Sequence, residues 1–190
     1  MNKKQIKQEV AGVIFVSIAG TLAHFVYAVS GENGFAALFV PVNESVWEHL
    51  KLLWFPYIIF AAVQFFLPGR KDSASFWAAK AAGAYMGALF IAAFFYTYSG
   101  ALGKTVTAID ILSFYLGVLG AFGTDYVLMR SARPARKAAA AIGIAALAGM
   151  TLLFFLFTYY PPQIALFEDP QSGSFGIYSV LAPISGTAGL

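Results

Sequence analysis

The sequence predicts an all-α integral membrane bundle of about five transmembrane helices, and three observations lead there. Hydrophobic residues make up 59% of the 190-residue chain and charged residues only 11%, with a mean hydropathy of +0.72. A soluble domain carries about 25% charged residues, so this chain lacks the charge to cover a soluble surface. The apolar residues also fall in five runs, each near the ~20 residues that a helix needs to cross hydrocarbon. Glycine, proline and basic clusters separate those runs. The length suits one bundle rather than two domains. The chain has no cysteine, which excludes disulfides, thiolate metal sites, iron–sulfur clusters and a cysteine nucleophile. The sequence pI of ≈ 9.1 comes from basic residues flanking apolar runs, as topology signals do; it gives no footprint for nucleic acid.

The first span is predicted over residues 9–29. Lys3, Lys4 and Lys7 precede it, as in a signal peptide, but no small-residue cleavage motif stands before Gly31-Glu32-Asn33-Gly34, so it reads as a retained helix. Ser17, Gly20, Thr21, His24 and Tyr27 recur at helical spacing and give it a small, polar face directed into the bundle. The loop over 30–42 is broken by Gly31, Gly34 and Pro41 but apolar from Phe35 to Val40, so it is expected to dip inward as a short re-entrant piece. The second span is predicted over 44–67, with Asn43 as N-cap, Glu44 in the first turn, a kink at Pro56 and a stop at Pro68-Gly69-Arg70-Lys71-Asp72. The third runs over 76–98. It carries a Gly83/Gly87 pair for close helix contact, Lys80 snorkelling near its start, and Tyr96 and Tyr98 at the far interface. The fourth, over 106–130, shows a stripe of Asp110, Ser113, Gly117, Gly120 and Thr124. Its Asp125 is expected to pair with Lys80. A basic loop, Arg130 to Lys137, leads to the fifth span over 138–159, which Pro161-Pro162 ends. Residues 160–180 read as a tail covering the outer side. Residues 181–190 read as a flexible tail, in part left over from expression.

Basic residues set the orientation. Lys3, Lys4, Lys7, Arg70, Lys71, Lys80, Arg130, Arg133, Arg136 and Lys137 collect on one side, against Lys51 and Lys104 on the other. The first side is expected to be cytoplasmic, in a bacterial cytoplasmic membrane, with the tail outside.

The stretch Pro41 to Lys51 departs most from its surroundings. His24 stands about six residues before span one ends and His49 about six after span two begins, so both lie roughly 8–9 Å below one edge. Asp110 is about four residues into span four from the same side. Glu44 and Glu48 stand i,i+4 and so are expected to share a helix face, with Ser45 and His49 on the next one. Imidazoles with carboxylates form a ligand set for zinc, manganese or iron, and the same groups can work as acid and base. His24, Glu48 and His49 are the expected metal ligands, and Glu44, Glu48 and Asp110 the expected catalytic acids. Asn43, Lys51, Tyr98 and Asp169 are the expected substrate or lid contacts. A haem held between His24 and His49 is a less favoured cofactor, because the acids would crowd its face. The bland readings are concrete: Ser45-x-x-Glu48 matches a capping box, Lys51 pairs with Glu48, and Asp110 is a first-turn acid.

The residues Pro41-Val42-Asn43-Glu44-Ser45, Trp47-Glu48-His49-Leu50-Lys51, Tyr160-Pro161-Pro162, Leu166-Phe167, Asp169-Pro170 and Gly173 together resemble the signature of a bacterial family of uncharacterised multi-pass membrane proteins. The resemblance spans His24 to about Gly176. It implies a small helical membrane protein and no assigned activity.

The expected function is that of a metal-dependent membrane-embedded hydrolase taking an amphiphilic or lipid-linked substrate from the outer leaflet. The alternative is a transporter or solute-binding subunit for a cation, proton or small amine. The absence of an internal repeat weighs against that alternative unless a homodimer supplies the symmetry. A third reading makes every polar stripe packing in an assembly partner. Zincin, nucleophile-elbow and phosphate-loop motifs are absent from the sequence.

Overall fold

The computed structural model describes residues 3–68, 73–130 and 136–177. The predicted stop at 69–72, with Arg70 and Lys71, the basic stretch 131–135, with Arg133, and the tail from 178 to 190 lie outside the described residues. Among the described residues six helices follow in order: α1 (Lys3–Val29), α2 (Gly34–Ala37), α3 (Val46–Phe66), α4 (Ser73–Leu102), α5 (Thr107–Arg130) and α6 (Lys137–Tyr159). All but α2 are long and apolar enough to cross a membrane.

Element ends differ from expectation where local chemistry allows. Helix α1 begins at Lys3 rather than near residue 9, since lysine and glutamine are good helix formers and nothing there stops the helix. Helix α4 continues past Tyr98 to Leu102. It ends at Gly103, whose φ of +66 is the left-handed conformation that favours glycine just beyond a helix. Helix α3 starts at Val46, capped by Ser45 and not by Asn43. The Asn43 side chain accepts the Ser45 N–H at 3.0 Å, a local turn that keeps residues 43–45 out of the helix.

Helix α3 is the centre of the bundle. Its Leu53 and Trp54 have no exposure and Tyr57 only 1%. It packs against α1 and α4, while α4 also packs against α5 and α6, and α1 against α5. Small residues set the closest approaches. A Cβ on Gly87 would lie 2.8 Å from the Gly117 carbonyl oxygen, and one on Gly83 would lie 2.7 Å from that of Ala121. The Gly83/Gly87 pair therefore seats α4 against α5 by van der Waals contact, the force that joins helices where the solvent is itself apolar. The outward faces carry Ile14, Ile18, Leu22, Leu89, Leu119, Ile142 and Leu152, each more than half exposed, as a hydrocarbon-facing surface requires.

Between α1 and α3 the chain folds inward as α2, a single helical turn. Asn33 caps it by accepting the N–H groups of Phe35 at 2.8 Å and Ala36 at 3.3 Å. Ala37, Val40 and Val42 are buried against Tyr27 and Ile177.

Candidate metal centre

Helix α1 ends and α3 begins at the same edge of the bundle, so one histidine from each meets there. The His24 and His49 ring centroids lie 5.2 Å apart in an edge-on contact. Glu44 joins them from the turn before α3. Its Oε2 stands 3.3 Å from His49 Nε2, with the glutamate side chain 40% exposed and the histidine 28%. One ligand atom each from His24, Glu44 and His49 all lie within 4.8 Å of one another.

The backbone around Glu44 is tied down at both ends. Ser45 Oγ accepts the Glu48 N–H at 3.3 Å, and Ser45 O lies 3.0 Å from His49 Nδ1. With Nδ1–H donating to that carbonyl, Nε2 is the nitrogen presented to Glu44, and the ring orientation is fixed as in metal-ligating histidines. The Glu44 carboxyl is held below the usual carboxylate range, chiefly by the hydrogen bond from His49. It therefore stands ionised near neutral pH and ready to ligate.

Glu48 does not join this group. It turns inward, 2% exposed, and pairs with Lys51, which has no exposure, at 2.6 Å. Glu48 Oε2 also accepts the Val42 N–H at 3.1 Å. The reason lies in the start of α3. Glu44 precedes the helix, so the i,i+4 rule never applies to it, and the two glutamates diverge. The capping box is half formed, because Glu48 caps Val42 in the preceding turn instead of reaching back to Ser45.

Lys51, expected at the substrate or lid, is buried. Its ammonium donates to Ala37 O at 2.8 Å and to Thr158 Oγ1 at 2.6 Å besides Glu48, so it fastens α2, α3 and α6 together. A cation beside the last carbonyls of α2 also has favourable polarity. Thr158 carries no sequence signal that marks it as a partner, since threonine is common on membrane helices. Together Glu48 and Lys51 anchor the strap from 37 to 42 that leads into Glu44, and so position the ligand without touching it.

The remaining expected residues fall elsewhere. Asp110 accepts a short hydrogen bond from Tyr98 Oη, and Tyr98 Oη also accepts the Val106 N–H at 3.2 Å. These two clasp the α4–α5 turn and are not in the histidine group. Asp169 is spent on its own turn, accepting from Gln171 N at 2.8 Å and Ser172 Oγ at 2.9 Å. The chain after α6 contacts the start of α3: Trp47 N donates to Leu166 O at 3.0 Å, and Phe167 packs on the Trp47 ring. Asn43 Nδ2 is buried and has no partner among the described residues, which leaves one free donor next to Glu44. The haem reading fails on geometry, because rings in edge contact leave no slot for a macrocycle between them.

A family comparison matches residues 1–177 of the 190-residue chain. The chain belongs to DUF6512, a family of unknown function. No curated protein and no solved structure matches it. The family brings no activity, so the chemistry rests on the residues themselves.

Proposed function

We propose that this chain is a metal-dependent hydrolase of the bacterial cytoplasmic membrane, with His24, Glu44 and His49 as its metal ligands. The observation that supports it is the convergence of three ligand atoms within 4.8 Å from two helices and a turn. Two imidazoles and one carboxylate form the donor set of catalytic zinc sites, and three protein ligands leave a position for water or substrate. A bound divalent metal would supply Lewis acidity and a nucleophilic hydroxide near neutral pH. Ser45 holds the His49 tautomer, and Glu48 with Lys51 holds the turn. Glu48 and Asp110 are engaged elsewhere, so neither serves as general base.

Leu22 and Phe25 flank His24 on α1 and are 62% and 60% exposed. In a bilayer those side chains face acyl chains, so the substrate class is an amphiphile with its polar head at the centre. Lys3, Lys4 and Lys7 at the far end of α1 and Arg136 and Lys137 at the start of α6 support a cytoplasmic location for that other end. The metal centre then opens to the outer side.

Zinc titration of the purified full-length protein in detergent tests the site. One equivalent should bind, and His24→Ala, Glu44→Gln and His49→Ala should each abolish it. Zinc-dependent cleavage of amphiphilic esters or phosphoesters in nanodiscs, lost in Glu44→Gln, tests the reaction. No saturable zinc, manganese or iron binding would overturn the proposal.

A further inference from the structure

A second group of ionisable side chains lies toward the other end of the bundle. Glu9 precedes His24 by 15 positions on α1, roughly 22 Å along the helix axis. Lys80 Nζ donates to Asp125 Oδ2 at 2.5 Å and to Glu9 Oε2 at 3.4 Å. Tyr57 Oη donates to Asp125 at 2.7 Å, and Gln64 Nε2 donates to Glu9 Oε1 at 2.7 Å. Lys80 does not snorkel. It and Asp125 have no exposure, Gln64 has 4% and Glu9 6%. The rings of Tyr57, Phe76 and Phe122 stand 5.0–5.6 Å from the ammonium. The group thus joins α1, α3, α4 and α5. The basic residues toward this end, Lys3, Lys4, Lys7, Arg130 and Lys137, are exposed.

Among the described residues the charges of this group do not balance. Two carboxylates face one ammonium, which leaves one surplus negative charge in a region of low dielectric. An uncompensated buried charge is costly and is usually neutralised. A second observation points the same way: Gln64 Oε1 is buried and has no donor. A metal cation does not fit, because the ammonium already occupies the space between the carboxylates. Hard cations such as calcium take about six or more oxygens, and Gln64 Oε1 is the side-chain oxygen of this group without a donor.

We propose that Glu9 and Asp125 share one exchangeable proton with Lys80, making this group a proton-binding site separate from the metal centre. The proton comes from water at the end where α1 begins, since Glu9 is the least buried member. It converts one carboxylate to a carboxylic acid and returns to water on release. With one proton between two carboxylates, it belongs to the pair rather than to either residue. Release restores the surplus charge where four helices meet. Gly83 makes that junction tight, since a Cβ there would lie 2.5 Å from both Asp125 Oδ1 and Tyr57 Oη. Proton occupancy is thereby coupled to the packing of α1 and α4 around α3 and α5.

Infrared spectroscopy of the full chain in nanodiscs, in H₂O and D₂O, tests this through the C=O stretch of a protonated carboxyl. Wild type should show one such carboxyl at neutral pH that disappears as pH is raised. Glu9→Gln should abolish it, because Asp125 alone then balances Lys80. Asp125→Asn should do the same, and if that variant fails to fold, Glu9→Gln near the bundle end carries the test. His49→Ala should leave the band in place, which separates this site from the metal centre. A wild-type spectrum without a protonated carboxyl at neutral pH, or a band that survives Glu9→Gln, would overturn the proposal.

Discussion

Lys51→Met removes the cation from a pair that solvent does not reach. At 2.6 Å and an effective dielectric of ~20, the Lys51–Glu48 attraction is roughly 6 kcal/mol before desolvation is subtracted. The substitution leaves Glu48 in place with only the Val42 N–H at 3.1 Å and the Thr158 hydroxyl at 3.5 Å. It also strips the Ala37 carbonyl of its donor. Breaking one side of a buried pair costs about 3–5 kcal/mol, whereas replacing both sides with groups of similar volume can be nearly neutral. The double variant Glu48→Gln/Lys51→Met keeps an acceptor for Val42 N–H and carries no unpaired charge. It is expected to lose only about 1–3 kcal/mol, the cost of the orphaned Ala37 and Thr158 groups. The assay is reversible unfolding in mixed micelles, run as a double-mutant cycle. A coupling of about 1 kcal/mol or more between the two sites is expected. Zinc affinity should fall in the same single variant by about 10–100-fold, the usual effect of losing an outer-shell support. Single substitutions that each cost under about 1 kcal/mol and add in the double would show that the pair neither stabilises the strap nor positions Glu44.

Three further outcomes follow from the geometry. Because His49 keeps the Glu44 carboxyl below its usual range, proton competition for the metal runs through the two imidazoles. Zinc affinity should fall as the pH is lowered, because an imidazole must shed its proton to ligate; a curve flat from about pH 8 to about pH 5 would remove the histidines from the site. A Cβ on Gly20 would meet the Leu52 carbonyl oxygen and the Phe114 ring. Gly20→Ala should therefore push α1 off α3, cost about 1–3 kcal/mol as overpacking does, and weaken zinc binding through His24 one turn away. Topology reporters fused after Tyr160 and after Arg136 should read extracytoplasmic and cytoplasmic respectively. The reverse would move the metal centre to the cytoplasmic face and end the outer-leaflet substrate.

The sequence by itself determined the membrane bundle. Five apolar runs of spanning length cannot stay in water, and in hydrocarbon only helices satisfy their own backbone. It also determined the depth of His24 and His49, because a constant rise per residue turns distance from a helix end into distance from an edge. The pairing of Lys80 with Asp125 was legible for the same reason: few charges share that depth, and each needs a partner. Glu9 meets the same criterion, but a carboxylate at the start of an apolar run carries no mark that it turns inward.

Only the tertiary structure decided which glutamate serves the histidines. Helical periodicity puts Glu44 and Glu48 on one face, but that holds only if both are helical. Asn43 closes a local turn and Ser45 takes the cap, so Glu44 stays on the turn beside His24 and His49 while Glu48 points inward. The fate of Lys51 was equally invisible along the chain. Its partners, the Ala37 carbonyl and the Thr158 hydroxyl, lie 14 and 107 residues away, and an ordinary carbonyl and an ordinary threonine carry no mark of a charge to come. Side-chain direction at a helix start depends on where the first turn begins, and burial of a charge depends on what distant segments bring to it. Both are properties of packing.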